Sequence, residues 1–425
     1  MNQIEATFLN VDLDYRMRFS ARMALALLAA MMAVNEASAE EVTVSGCPHV
    51  RNYPVQALMP LNPRPLALTS LHCLKLPSSS FPISPPRPSP DQSSAFVFDS
   101  IQGLSIVGLG TEAVSQHFEG RLTASLRFTG SVPFTWSRSS RSVFGVRQDT
   151  AKPSGFALGP LSPSSFNTDG TVQKLAELNN EAGPLDEIYW IGHDGLAVVG
   201  FGTKGGLYRP IHSDPRPTIA FVDAGAGKIL QSIAIADLAG IAAKSRIDGV
   251  ASDPDGRHVL ITLASSQWVL WVLGQSPRLV PIDVKPWMTP YALSPGGKAA
   301  LVMKNLSATG MICEHIGHGP QCPPPTPRSG AVAELYELPS GKLLWTLDGI
   351  AETFSRSDVP AISPDGRFGL ISMPAGTVAL ISMVNGNVIQ EIPKIWTSEC
   401  SMGFSEDGKT AWVSGGSRIA VYKLN

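Results

Sequence analysis

The stretch from Asp358 to Ile392, DVPAISPDGRFGLISMPAGTVALISMVNGNVIQEI, decides the fold. It holds four short apolar runs, each cut off by a turn. Ala361-Ile362 stops at Ser363-Pro364-Asp365-Gly366-Arg367, Phe368 to Ser372 at Pro374-Ala375-Gly376, and Val378 to Met383 at Asn385-Gly386-Asn387. Val388 to Ile392 follows. Proline presets φ, Asp and Asn tolerate left-handed backbone, and Gly allows positive φ, so each cluster predicts a hairpin. Four such strands in sequence make one antiparallel sheet.

Outward from this stretch the same turn recurs. Asp255-Gly256-Arg257, Gly296-Gly297-Lys298, Asp365-Gly366-Arg367 and Asp407-Gly408-Lys409 give glycine steps of 41 (297 − 256), 69 (366 − 297) and 42 (408 − 366). The step of 69 is one period plus 27, which falls at residues 307–330. Upstream, His193-Asp194-Gly195 precedes LAVVGFG, Trp136-Ser137-Arg138-Ser139-Ser140-Arg141 precedes SVFGV, and Ile101-Gln102-Gly103 precedes LSIVGLG. Positions 103, 140, 195, 256, 297, 366 and 408 therefore mark seven units. A four-stranded unit repeated at this spacing predicts an all-β fold, a seven-bladed β-propeller spanning residues 95–425.

The last unit is incomplete: after Gly408 come TAWVSG and RIAVYKL, and the chain stops at Asn425. A blade short of its outer strand leaves an open edge. Residues 40–94 read as a Pro/Ser-rich arm, PLNPRPLALTSLHCLKLPSSSFPISPPRPSPD over residues 60–91. Within it, residues 66–76 (LALTSLHCLKL) lack proline, and we expect them to add the missing strand and close the ring from the N-terminal side.

Ahead of the arm lies an export signal. Arg18 and Arg22 form a basic start, Met23 to Val34 is apolar, and Ala37-Ser38-Ala39 is a small-x-small cleavage site. Residues 1–39 thus read as a signal peptide, with 1–16 dispensable and translation beginning at Met17. The mature, periplasmic or secreted chain then starts near Glu40, with no membrane span. Export makes disulfides available to the five cysteines. Cys47 pairs with Cys73 and Cys313 with Cys322 in this reading, leaving Cys400 as a thiol on an inner strand.

Of the 425 residues, 44% are hydrophobic and 16% charged, and the formal net charge is −2. That balance lacks the basic surplus needed to neutralise phosphates, so nucleic acid is not an expected partner.

Ser363-Pro364-Asp365-Gly366-Arg367, with Gly376-Thr377-Val378-Ala379-Leu380 and Gly386-Asn387-Val388-Ile389, resembles the bacterial WD-repeat-like and YVTN-type propellers. No Trp-Asp dipeptide closes a third strand. The resemblance implies a blade and leaves function open, since scaffolds, lactonases and dehydrogenase subunits share it. Pro286-Trp287-Met288-Thr289 is similar to a segment of the quinoprotein amine dehydrogenase heavy chains, whose quinone cofactor sits on a separate light chain.

Candidate binding residues come from a second register. Arg246 and Arg356 each stand ten residues before a hairpin glycine, and Asp248 and Asp358 stand eight before it. The other units place Glu187, Thr289 and Cys400 at that offset of eight. Such residues open the inner strands and converge on one channel mouth, where Arg can fork onto a carboxylate or phosphate. The Arg–Asp pairs serve equally well as ties between blades. Two insertions, residues 203–217 and 307–330, leave second strands and rise from the same face, bringing His212, His315 and His318. The Cys313–Cys322 loop carries two Cys and two His, but its spacing fits no usual zinc pattern. No catalytic signature and no cofactor site is visible. The expectation is a binding or interaction module for a small anionic ligand or a protein partner. An enzyme or enzyme subunit of the lactonase or amine dehydrogenase heavy-chain type is the alternative.

Overall fold

In the computed structural model, the strand runs read above hydrogen-bond to one another as antiparallel ladders. The structure describes residues 51–52, 68–75, 82–99, 103–109, 114–118, 134–148, 161–175, 185–192, 195–201, 218–238, 247–263, 267–282, 284, 291–304, 314–315, 320–321, 328–351, 359–373, 377–393, 400–415 and 418–424. In the sixth blade, Ala361–Ile362, Phe368–Met373, Thr377–Ser382 and Val388–Pro393 pair in that order, inner strand to outer. Seven such blades form a ring. Their inner strands are Pro82–Pro88, Thr135–Trp136, Leu185–Trp190, Ile247–Ser252, Tyr291–Leu293, Ala361–Ile362 and Cys400–Phe404. The fold is a seven-bladed β-propeller. Helix among the described residues is confined to two short 3-10 turns, Ile235–Asp237 and Pro295–Gly297, and none is long enough to cross a membrane.

One turn, repeated around the ring, joins each inner strand to the second strand. Its first residue donates a backbone N–H across the hairpin to the carbonyl five residues on: Ser89 to Ser94, Ser137 to Ser142, Ile191 to Leu196, Asp253 to His258, Ser294 to Ala299, Ser363 to Phe368 and Ser405 to Thr410. In three blades the side chains repeat as well. Ser363 Oγ donates to Asp365 Oδ1 at 2.6 Å and accepts the Phe368 N–H at 2.9 Å. Ser89 with Asp91, and Ser405 with Asp407, do the same at 2.6 and 2.7 Å. The Ser-Pro-Asp-Gly pattern is thus a small network that satisfies buried donors at each strand end.

The fourth residue of this turn needs positive φ. Gly256 (68°), Gly297 (65°), Gly366 (72°) and Gly408 (67°) supply it, but in the first two blades the residue is Gln92 (59°) and Ser140 (58°). The sequence expectation at Gly103 is therefore corrected. Gly103 pairs with Asp99 and begins the third strand of blade one, so it lies one turn too late. A search for glycine passes over Gln92. The same error set the arm's end at residue 94, whereas the inner strand of blade one is Pro82–Pro88. Prolines fit there because the inner strand is hydrogen-bonded on one side only.

Apolar side chains fill the spaces between neighbouring blades. Phe221 of blade three meets Trp271 of blade four edge-on, with centroids 4.6 Å apart, while Trp268 on the other face meets Tyr291 of blade five at 4.8 Å. The odd spacing of the two tryptophans sends them to opposite faces of one strand. Blade seven packs on blade one through Ile419, which is clustered with Ala95, Val97 and Val107. The outer edge of blade seven is paired: Leu68–Lys75 runs antiparallel to Arg418–Leu424, with Cys73 opposite Ala420. Arg51–Asn52 likewise pairs with Val388–Pro393 as a fifth strand on blade six.

Candidate functional site

Because each inner strand is a sheet edge, its free side faces the axis of the ring. A cavity of about 300 Å³ lies there, lined by residues from the inner strand or first turn of all seven blades. A second cavity, about 210 Å³, adjoins it toward the turns, bordered by Pro90, Pro254 and Pro364. Counting two residues back from the first turn residue gives Arg87, Thr135, Ala251, Ala292 and Ala361 in five blades, all half-buried and all lining the larger cavity. Three of the five are alanine, and the missing side-chain volume is part of that space.

Arg87 borders both cavities. Its carbonyl accepts the Trp136 indole N–H at 3.1 Å, which pins the backbone of this Pro-rich strand to blade two. Its Nε is enclosed and has no hydrogen-bond partner, and among the described residues no carboxylate pairs with its guanidinium. Burial alone pushes the guanidinium down to about 10. It is still a cation at neutral pH.

The other polar groups on the cavity wall are committed. Asp253, 2% exposed, accepts the Arg257 and His258 N–H groups at 3.0 Å each and the His258 ring Nδ1 at 2.8 Å. Tyr291 presents its ring to the cavity but turns its hydroxyl away, donating to Leu260 O at 3.1 Å; burial, the largest cause, pushes that phenol up. Thr135 Oγ1 donates to Gly192 O at 3.3 Å. Near the turns, Arg138 of blade two reaches Asp255 of blade four at 4.0 Å and Glu406 of blade seven at 3.9 Å.

Of the residues expected to form a polar ring, only Asp248 has a described side chain. It is half-buried on the inner strand Ile247–Ser252, at a bulge between Ile247 and Gly249, and its charge acts on Tyr291. Glu187 does not hold the matching position. Leu185 pairs with Phe201 and Glu187 with Gly200, as Ile247 pairs with Leu263 and Gly249 with Thr262, so the residue equivalent to Asp248 is Asp186. The offset fails because Gly195 comes one residue later in its turn than Gly256 does. Arg246, Arg356, Asp358, Thr289, His212, His318, Cys47, Cys313 and Cys322 lie outside the described residues. His315 is on the short hairpin Glu314–His315/Pro320–Gln321 within the second insertion, Cys73 on Leu68–Lys75, and Cys400 on the inner strand of blade seven. Both insertions follow second strands, Leu196–Phe201 and Ala299–Met303. Among the described residues no group of three His, Cys, Asp or Glu side chains is placed to hold a metal ion.

The residue that sequence reading missed is Arg87. The clue was present: Ser89-Pro90-Asp91-Gln92 matches Ser363-Pro364-Asp365-Gly366 at three of four positions. No protein-family model matches the chain, and no curated protein sequence matches it.

Proposed function

We propose that the protein is an exported binding module whose ligand sits on the propeller axis. The observation that carries this reading is the 300 Å³ cavity, to which every blade contributes, with a lining that mixes polar and apolar groups. A concave site of this size on a rigid scaffold, with convergent polar groups, is where a ligand is held and oriented. Residues 17–39, with their basic start, apolar run and Ala37-Ser38-Ala39, support export. In the same reading the loops that leave the second strands of blades three and five frame the channel mouth, and Arg246 and Arg356, oriented by Asp248 and Asp358, draw an anionic ligand or an acidic partner toward it.

The mature protein tests this directly. N-terminal sequencing should find Glu40 first; a product that retains residues 17–39 rejects export. Native mass spectrometry of protein purified from its own host should find a small molecule bound one to one. Arg246→Ala and Arg356→Ala should each weaken binding of that molecule about tenfold, the loss of one charge-assisted contact, at nearly unchanged melting temperature. A pure loss of stability in both variants would reduce these pairs to architecture.

A further inference from the structure

Arg87 is a cation placed on the axis of the ring without a counter-ion among the described residues. Its Nε is enclosed without a hydrogen-bond partner, and it borders both axial cavities. Its backbone is held by the Trp136 indole, 3.1 Å from the Arg87 carbonyl. Stability gives no reason for a buried charge left unpaired, since replacing such a group by an apolar one of similar size is often neutral or favourable. Among the described residues the one carboxylate on the wall of the larger cavity is Asp253, which is taken up by His258 and two backbone N–H groups. Arg87 borders the cavity, and an anion held there would balance its charge.

We infer that Arg87 is the anion-recognition residue of the axial channel and that its ligand is a small monocarboxylate. This rests on the proposed binding function and names the ligand class for it. The charge comes from Arg87: one guanidinium balances one negative charge, and its fork presents parallel donors to a carboxylate. The rest of the lining mixes inner-strand backbone and side chains such as Thr135 and Ser252 with apolar residues and, among the described residues, sets no second cation against the ligand. A phosphate dianion would be only half-neutralised by one guanidinium. The size follows from the volume: about 300 Å³ is at the small end of ligand sites, which run from roughly 300 to 1,000 Å³.

Hexanoate, hexanol and inorganic phosphate separate the components of this assignment. Calorimetric titration of the mature protein should show saturable one-to-one binding of hexanoate, and binding of hexanol and phosphate at least tenfold weaker. Arg87→Met keeps an unbranched apolar stem and removes the charged guanidinium. It should bind hexanoate at least tenfold more weakly while melting at or above the wild-type temperature without ligand. Arg87→Lys should restore part of the affinity.

A melting temperature lowered by Arg87→Met, with hexanoate affinity unchanged, overturns the assignment and makes Arg87 a structural residue. Hexanoate and hexanol binding equally to wild type and Arg87→Met also overturns it, while leaving the channel a binding site. Phosphate binding as tightly as hexanoate rejects the carboxylate class. If the wild type binds none of the three, the assignment falls; if native mass spectrometry of that protein then finds no bound molecule, the binding function falls with it.

Discussion

Asp407 shows how a single side chain serves the ring. Its Oδ1 accepts from Ser405 Oγ at 2.7 Å and from the Lys409 N–H at 3.0 Å, and the Ser405 bond is the largest cause holding the carboxyl below its ordinary range. A carboxyl whose folded value is depressed contributes stability above its unfolded value, near 3.9, and loses it as pH falls through the folded value. Asp407→Asn keeps the shape and removes the charge. We expect the variant to melt below the wild type at pH 7 and the gap to close as pH drops from about 4 toward 2, read from thermal midpoints across that range. A gap that does not change with pH would mean that the charge of Asp407 adds nothing.

At the scale of the hairpin, blades one and two break the repeat, and the structure shows what they gain. Gln92 and Ser140 occupy left-handed backbone that costs a non-glycine residue about 1 kcal/mol. Each uses its side chain across a blade boundary: Gln92 Nε2 donates to Thr410 Oγ1 of blade seven, and Ser140 Oγ accepts the Asp91 N–H at 3.1 Å. Glycine would relieve the strain and lose the bond. Gln92→Ala keeps the strain and loses the bond, so it should destabilise by about 1 kcal/mol, whereas Gln92→Gly should be close to neutral. Urea midpoints at constant slope measure the difference; equal losses in the two variants would remove strain from the account. This exchange also explains what the sequence shows and hides. Ser363-Pro364-Asp365-Gly366 and its copies at 256, 297 and 408 are legible because the positive φ of this turn favours glycine, and at Gly297 the packed His258 ring leaves no room for a Cβ as well. Gln92 and Ser140 answer to distant partners, 318 residues away for Gln92, and no local pattern records such a partner. Arg87 was hidden for the same reason, because prolines on either side read as coil until a sheet edge accommodates them. Glu187 slipped by one because a single shifted glycine moves an inferred offset, while ladder pairing does not.

For the whole molecule, the joint between blade seven and blade one decides whether seven sheets act as one body. Two contacts meet there, Ile419 packed on Ala95 and Val97 and Gln92 bonded to Thr410, while Leu68–Lys75 pairs along Arg418–Leu424 within blade seven. We predict that the added strand secures the joint. Removal of residues 40–76 from the mature chain should lower the melting temperature and leave a sheet edge open to self-association. A peptide of residues 66–76 supplied in trans should restore both the midpoint and the monomer. An unchanged midpoint in the deleted chain would assign the joint to side-chain packing alone.

The pairing of Leu68–Lys75 with Arg418–Leu424 also has a consequence in time. A chain made from its N-terminus presents Leu68–Lys75 well before Arg418–Leu424, which begins 343 positions later (418 − 75). Until then the early strand has no ladder to join, and the blades made between them have only partial rings to pack in. Long-range pairing of this kind is slow because loop closure must precede any gain from contact. The outer ladder of blade seven therefore forms only when the seven-residue strand Arg418–Leu424 arrives. A chain that ends short of it carries an unmatched strand at one end and an unmatched blade at the other, which is how a protease could tell an unfinished copy from a finished one.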